Sequence, residues 1–368
     1  MNTRQTFRAN ENLIVDGSLI KDLFGAGLAW LEQNREQVNR SNVFPVPDGD
    51  TGTNMYLTMQ SAYREIANMK ENHVGKVVKA VAQGAIKGAR GNSGVILSQL
   101  WSGMAKALKD EETLNAELLA KACKSAVEMA YRAVQEPVEG TILTVSRHMM
   151  ESVIDRHHTS KDLIWLLKHM VFAGRASLRK TPDLLPVLKK AGVVDSGGQG
   201  LVYIFEGMLW ALCGKPMTPE NASSASTIYP VAAMPIMDAP AWENALEPED
   251  EEGYGYDVQF LMRGENLSVD NMRVALAEMG GWSTLVVGDE KLIKVHVHMH
   301  DPGLPISYAI RTGAAIDDVV VENMQRQYED YVESRKAREN EVRTDVPGVA
   351  VVTVAAGCLL YTSDAADE

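Results

Sequence analysis

One glycine-rich stretch of this chain reads Pro45-Val46-Pro47-Asp48-Gly49-Asp50-Thr51-Gly52-Thr53-Asn54, and an apolar run with helical spacing follows it. Two further stretches open helical patterns in the same way, namely Gly88-Ala89-Arg90-Gly91-Asn92-Ser93-Gly94 and Asp195-Ser196-Gly197-Gly198-Gln199-Gly200. A helix that begins in this way leaves backbone N–H groups unpaired, and these groups can bind phosphate. The first stretch adds Asp48 and Asp50, whose carboxylates are the hard oxygen ligands that Mg²⁺ prefers. Together the three stretches predict a nucleotide site for phosphoryl transfer.

The helical pattern extends over residues 11–213 and predicts about eight helices without a convincing strand. Apolar side chains recur mostly at three- and four-residue steps, beginning with Leu13, Leu19, Ile20, Leu23, Phe24, Leu28 and Leu31. This pattern predicts an all-α domain over residues 1–213, folded as a bundle or as a closed helical ring. Residues 214–253 are rich in proline and acidic side chains and predict a linker.

Residues 254–340 predict a second domain, of the α+β class. Strands are predicted at 256–262, at 283–287, at 293–299 and near Val319, with helices at 269–279, at 304–312 and from Asn323 onward. Residues 341–368 contain a strand-like apolar segment at 349–356 and read as the truncated start of a third domain. We expect the segment after Cys358 to form no element that continues this strand.

Composition narrows the classes of function. The chain has 368 residues and a formal net charge of -13, so its overall field repels nucleic acid and anionic membranes. Its three cysteines lie far apart and share no metal-ligand spacing. No stretch reaches roughly 18 uninterrupted apolar residues, and the polar N-terminus has no signal-peptide core. We therefore expect a cytoplasmic protein with no nucleic-acid partner and no transmembrane segment.

The three glycine-rich stretches do not match the commonest nucleotide motifs, because none has Walker spacing and no strand precedes them as in a Rossmann site. The chain resembles instead the bacterial fatty acid kinase ATP-binding subunit, whose first domain is related to the L subunit of dihydroxyacetone kinase. The resemblance extends from about residue 10 to about residue 340 and rests on residues 42–55, 88–99, 139–145 and 195–200. It implies an eight-helix barrel that binds ADP and two Mg²⁺ ions at one end, followed by a middle domain and a C-terminal domain.

The resemblance also assigns roles to individual residues. Asp48 and Asp50 match Mg²⁺ ligands, and Asn42 is the nearest candidate for a third position at which the dihydroxyacetone kinase relatives have an aspartate. The residues that match nucleotide-binding loops are Thr51, Gly52, Thr53, Asn54, Asn92, Ser93, Gly94, Gly140, Thr141, Asp195, Ser196 and Gly197. ATP is then the phosphoryl donor, and the acceptor is the carboxyl group of a fatty acid held by a separate acyl-binding partner protein. The product is an acyl phosphate for phospholipid synthesis, and an ionised carboxylate needs no general base to activate it.

A predicted strand of the second domain carries a polar face. Alternation places Lys294, His296 and His298, followed by His300, on one side of this strand. Histidines two residues apart on one strand face can bind zinc, although a solvated polar face is the more common arrangement. The resemblance favours zinc, because His296 and His298 match a His-x-His pair in the family's middle domain. Asp257 stands where the family has a cysteine, and a carboxylate binds zinc more weakly than a thiolate does.

Two other interpretations of the sequence stay open. A dihydroxyacetone-kinase-like subunit with a small hydroxylated substrate would share the helical fold, but the middle domain argues against it. A non-catalytic nucleotide-sensing scaffold would not need the intact Asp48 and Asp50. The sequence is also compatible with a homodimer, and it does not specify which fatty acid is used.

Overall fold

The computed structural model of the protein describes residues 13–214, 253–342, 350–354 and 360–364. These residues form a helical domain, an α/β domain packed against it, and a separate strand pair. The predicted linker at 214–253 lies outside the described residues except for its two terminal glycines.

The helical domain contains eight long helices and three short ones between residues 17 and 212. The long helices are α1 (Gly17–Gln33), α3 (Thr51–Ile66), α4 (Val74–Lys87), α5 (Gly91–Ala107), α6 (Ala116–Ala133), α7 (Ile142–Ile154), α8 (Leu163–Leu178) and α11 (Ser196–Leu212). The short helices, which the periodicity did not predict, are α2 (Arg35–Arg40), α9 (Thr181–Leu184) and α10 (Pro186–Ala191). Each long helix packs against the next long one along the chain, and α11 also packs against α1. The predicted helical N-terminal domain is therefore confirmed.

Capping side chains mark where several of these helices begin. The carboxylate of Asp16 accepts the N–H of Leu19 at 2.9 Å before α1, and Asn115 accepts that of Leu118 at 2.9 Å before α6. Such caps satisfy donors that the helix itself leaves unpaired. The apolar faces then meet in one continuous core. Among the described residues, no helix has both the length and the apolar character needed to cross a bilayer.

The second domain is a four-stranded antiparallel sheet with helices on one face. Its elements are β1 (Tyr256–Arg263), α12 (Val269–Glu278), β2 (Trp282–Gly288), β3 (Leu292–Met299), α13 (Gly303–Arg311), β4 (Ala315–Asn323) and α14 (Met324–Val342). The strand order is β2-β3-β1-β4. One sheet face packs its alternate apolar residues, such as Phe260 and Val295, against Met272 and Leu276 of α12. Every element predicted between residues 254 and 340 is present.

The opposite face of this sheet is also buried, although it carries polar side chains. Lys294, His296 and His298 are at most 3% exposed. The cause is the helical domain, which covers this face: Leu285 and Val287 of β2 belong to the helical core. The more common arrangement, a solvated polar face, therefore does not occur here.

A two-stranded antiparallel pair lies beyond α14. The predicted strand at 349–356 is confirmed as β5 (Ala350–Val354), which pairs with β6 (Leu360–Asp364). Our expectation that nothing after Cys358 continues β5 is wrong, because residues 360–364 pair with it along their whole length. The segment begins Leu-Tyr-Thr, and aromatic and β-branched residues favour strands.

Candidate active site

Four helices of the first domain, α3, α5, α7 and α11, begin near one another at the boundary with the sheet domain. The hydroxyl of Ser196, at the start of α11, donates to Oγ1 of Thr51 at the start of α3, at 3.2 Å. A Cβ on Gly197 would lie 2.8 Å from Oγ of Ser93 in α5, so the starts of α11 and α5 approach each other closely. The structure thus brings the three glycine-rich stretches together, and their helix N-termini form a site suited to phosphate.

The loop before α3 contributes two buried carboxylates, those of Asp48 and Asp50. They line a small cavity of about 30 Å³ between the two domains. Burial, and then the charge of Asp50, raises the pKa of Asp48 well above its usual range, and burial also raises the pKa of Asp50. A divalent cation would offset the charge that burial disfavours, so the two residues fit the predicted Mg²⁺ site.

Asn42 lies beside Asp48 but contacts it through its amide nitrogen. Nδ2 of Asn42 donates to Oδ1 of Asp48 at 2.6 Å and to the carbonyl of Val46 at 2.9 Å. Its Oδ1 accepts a long hydrogen bond of 3.4 Å from the hydroxyl of Ser196. The contacts orient Asp48, and the predicted role of Asn42 as a third Mg²⁺ ligand stays a prediction.

The sheet domain contributes Asp257, His296 and His298 to the same cavity. Antiparallel pairing of β1 with β3 sets Asp257 opposite His298, and one ligand atom from each of the three residues lies within 4.8 Å of the others. Nδ1 of His296 is 3.0 Å from Oδ1 of Asp257, yet neither atom makes a hydrogen bond within the described part of the chain. Such an arrangement of buried, unsatisfied donor atoms fits a shared metal ion.

The protonation states of Asp257 and His298 also suit a metal. Burial disfavours the charge on Asp257, but interactions with His296, and then with His298 and Gln259, outweigh burial and hold the pKa of Asp257 below its usual value. Burial, assisted by His296, lowers the pKa of His298 to about 3. At neutral pH Asp257 is therefore ionised and His298 is neutral, which are the forms that bind metal. Two imidazoles and one carboxylate fit Zn²⁺ and other first-row divalent ions.

A larger cavity of about 370 Å³ adjoins the small one. Phe44, Pro45, Asn92 and Ser93 line both cavities, so the two spaces are adjacent. The larger one also contacts Thr141, Asp195 and residues 281–285 of the sheet domain. Its volume falls in the range of roughly 300–1,000 Å³ that is usual for small-molecule sites. This cavity is therefore a candidate for the predicted nucleotide site.

Asp195 lies at the base of the larger cavity and caps α11. Its carboxylate accepts the N–H of Gly198 at 2.7 Å, and its own N–H donates to Oγ1 of Thr181 at 3.0 Å. Burial raises the pKa of Asp195 to about 7. Its charge therefore changes close to neutral pH, next to the predicted nucleotide.

Several predicted nucleotide residues line neither cavity, namely Gly52, Thr53, Gly94, Gly140, Ser196 and Gly197. Packing accounts for two of these glycines. A Cβ on Gly52 would lie 2.4 Å from the carbonyl oxygen of Arg35, and one on Gly94 would lie 2.4 Å from Oγ1 of Thr58. Gly140 has a φ of 89°, which other residues rarely adopt. Direct contact between these six residues and a nucleotide stays a prediction.

Three charged or polar side chains at the domain boundary had no predicted role in the site. Arg90 forms an ion pair of 3.1 Å with Asp318 on β4. Burial, and then Arg90, lowers the pKa of Lys294 to about 8. Gln259 lies on β1, and its Oε1 accepts the N–H of Gly91. Gln259 is two residues from Asp257 on one strand, and Lys294 is two residues from His296 on another. Each therefore shares a strand face with a predicted ligand, and this spacing could have identified both.

The two domains also match known families. Residues 45–210 match the DAK2 domain, and residues 253–331 match the middle domain of FakA-like fatty acid kinase subunits. The chain therefore carries a DAK2 domain followed by a domain that matches the FakA-like middle domain. Uncharacterized proteins of Staphylococcus aureus strains USA300 and NCTC 8325 / PS 47 are each 37% identical to this chain over 346 residues. The aligned region is 93% of this chain and 62% of each relative, so the chain spans less than two thirds of their length.

Proposed function

We propose that this chain is the ATP-dependent kinase subunit of a fatty acid kinase. It would transfer the γ-phosphoryl group of ATP to the carboxyl group of a fatty acid held by a separate acyl-binding protein. One observation carries the proposal: Asp48 and Asp50 of the helical domain meet Asp257, His296 and His298 of the sheet domain at one cavity. The match of residues 253–331 to the FakA-like middle domain supports the class of acceptor.

The residues of the helical domain would bind and orient the nucleotide. Asp48 and Asp50 would hold the two Mg²⁺ ions against the phosphates, while the first turns of α3 and α5 donate N–H groups to phosphate oxygens. Bound Mg²⁺ neutralises charge that develops on the phosphoryl group. The larger cavity would take the nucleoside, because it adjoins the acidic one at Asn92 and Ser93.

The residues of the sheet domain would hold a further metal ion beside the acidic loop. Asp257, His296 and His298 supply the donor atoms, and zinc is the ion that the family resemblance implies. The position of these residues suits the end of the nucleotide at which transfer occurs, since they share a cavity with Asp48 and Asp50. Positioning and charge neutralisation would carry most of the catalysis, because an ionised carboxylate acceptor needs no base.

Further parts of the proposal concern the setting of the enzyme. The eight long helices would close into a barrel, which the packing of α11 against α1 supports. A cytoplasmic location is favoured by the free, buried thiol of Cys123. The acyl-binding partner would bring the carboxylate to the open side of the domain boundary.

The test is acyl phosphate formation, measured by hydroxylamine trapping, with this chain, Mg-ATP and an acyl-binding protein loaded with fatty acid. We expect product from the wild-type chain and none from Asp48→Asn combined with Asp50→Asn. Asp110→Asn is the matched control, because this aspartate is exposed and lies outside both cavities. Mg²⁺-dependent ATP binding without acyl phosphate from any fatty acid, but with phosphorylated dihydroxyacetone, would overturn the acceptor assignment.

A further inference from the structure

One buried amide joins the phosphate-binding loop of the helical domain to the metal-binding residues of the sheet domain. Gln259 lies two residues after Asp257 on β1, so both side chains share one face, and Gln259 is 1% exposed. Its Oε1 accepts the N–H of Gly91 at 3.2 Å. Its Nε2 donates to Oδ2 of Asp257 at 2.7 Å. One end of the Gln259 amide therefore bonds across the domain boundary, and the other end bonds to Asp257 on the same strand.

The two partners determine which way this amide points. The N–H of Gly91 can only donate and the ionised carboxylate of Asp257 can only accept, so oxygen must face Gly91 and nitrogen must face Asp257. The hydrogen bond occupies Oδ2 of Asp257. The other oxygen, Oδ1, stays directed at His296, at 3.0 Å from Nδ1. Gln259 thus selects the carboxylate rotamer that presents Oδ1 to the metal-binding residues.

The bond to Gly91 ties this carboxylate to the start of α5. Gly91 is the first residue of that helix, and Asn92 and Ser93 directly after it line both cavities. The other polar link from this loop, between Arg90 and Asp318, is partly exposed, and such ion pairs contribute little. The buried link through Gln259 is the one that can transmit position between the loop and Asp257, because a lost partner there leaves buried groups unsatisfied.

We propose that Gln259 is a positioning residue for the kinase reaction, holding Asp257 in the geometry that the metal requires and fixing it relative to the nucleotide loop. This inference rests on the proposed function, and Gln259 itself lines neither cavity. Side chains that orient metal ligands by hydrogen bonds typically change metal affinity or activity by roughly 10- to 100-fold when they are replaced. The same change is expected here without a comparable loss of nucleotide affinity.

The experiment measures Zn²⁺ affinity in the absence of ATP and fatty acid, using calorimetric titration of the full 368-residue chain. Zinc that binds to wild type but not to His298→Ala is taken as zinc bound at the proposed site. Gln259→Met removes both hydrogen bonds at nearly constant volume, and Gln259→Asn keeps an amide that is too short to reach both partners. Leu261→Ala is the control, since Leu261 is buried on the same strand face and makes a cavity when truncated, without contacting the metal-binding residues through polar atoms.

We expect both Gln259 variants to bind Zn²⁺ roughly 10- to 100-fold more weakly than wild type, and Leu261→Ala to bind it as wild type does even if its melting temperature falls further. Mg-ATP affinity should stay within about threefold in every folded variant, because the helix N-termini that bind phosphate are retained. Any of three results would overturn the inference. Either folded Gln259 variant could bind Zn²⁺ as tightly as wild type does, Leu261→Ala could weaken Zn²⁺ binding as much as the Gln259 variants do, or the wild-type chain could bind no zinc. These results do not depend on acyl phosphate formation, so failure of the proposed kinase reaction would be recognised separately.

Discussion

Replacing Asp195 by asparagine should make the protein more stable at alkaline pH and leave it unchanged in acid. Asparagine caps helices as well as aspartate does, so Asp195→Asn can still accept the N–H of Gly198 and hold the start of α11. Unlike aspartate, the asparagine side chain cannot ionise.

The size of the effect follows from burial. The pKa of Asp195 is raised from 3.8 to about 7 in the folded protein. Because the folded chain keeps a proton that the unfolded chain has lost, the free energy of unfolding falls as the pH rises from about 4 to about 7. A difference of three pKa units corresponds to about 4 kcal/mol. The variant avoids this loss, so it should match wild type near pH 4 and exceed it by up to about 4 kcal/mol at pH 8.

Urea unfolding of both proteins at pH 4.5, 6 and 8, followed by far-ultraviolet circular dichroism without nucleotide or metal, measures the difference. Asp162→Asn serves as the control, because Asp162 also caps a helix through its carboxylate, before α8, but is partly exposed. Its stability relative to wild type should not increase with pH. If Asp195→Asn is no more stable than wild type at pH 8, Asp195 is ionised in the folded protein and the argument from burial is wrong.

Three other predictions concern the same site. His298→Ala should remove bound zinc, detected by elemental analysis, and should lower the melting temperature of zinc-loaded protein, since a ligand that binds only the folded state stabilises it; equal zinc content in the variant would contradict the metal assignment. Asp48→Asn should raise the melting temperature in EDTA, because it removes a buried charge, and it should abolish the increase in melting temperature that Mg²⁺ gives to wild type. An undiminished response to Mg²⁺ would exclude Asp48 as a ligand. Gly94→Ala should cost roughly 1–3 kcal/mol, because its Cβ would lie 2.4 Å from Oγ1 of Thr58, and adding Thr58→Ala should restore part of that stability in thermal unfolding; a neutral single variant would show that α5 can shift away from α3.

Much of the fold could be predicted because the relevant signals are local. Helix starts at Asp16, Asn115 and Asp195 coincide with capping side chains, and the alternation at 293–299 matches β3 within one residue. Short helices such as α2 and α9 were not predicted, since four to six residues contain too few apolar positions to show helical periodicity. Strand β6 was not predicted, although its Leu-Tyr-Thr start favours a strand, and its pairing with β5 is seen only in the structure.

The sequence by itself determined the class of the two domains and showed two carboxylates, Asp48 and Asp50, in one short loop, because helical spacing, strand alternation and this pair can be read within short segments. Only the tertiary structure decided that Asp257, His296 and His298 are buried against that loop and share its cavity. The contact between Gly91 and Gln259 spans 168 residues of chain, and no local pattern encodes such a distance. Packing of one domain on the other turns a polar strand face into part of the site, since burial changes both the pKa values and the available partners of its side chains.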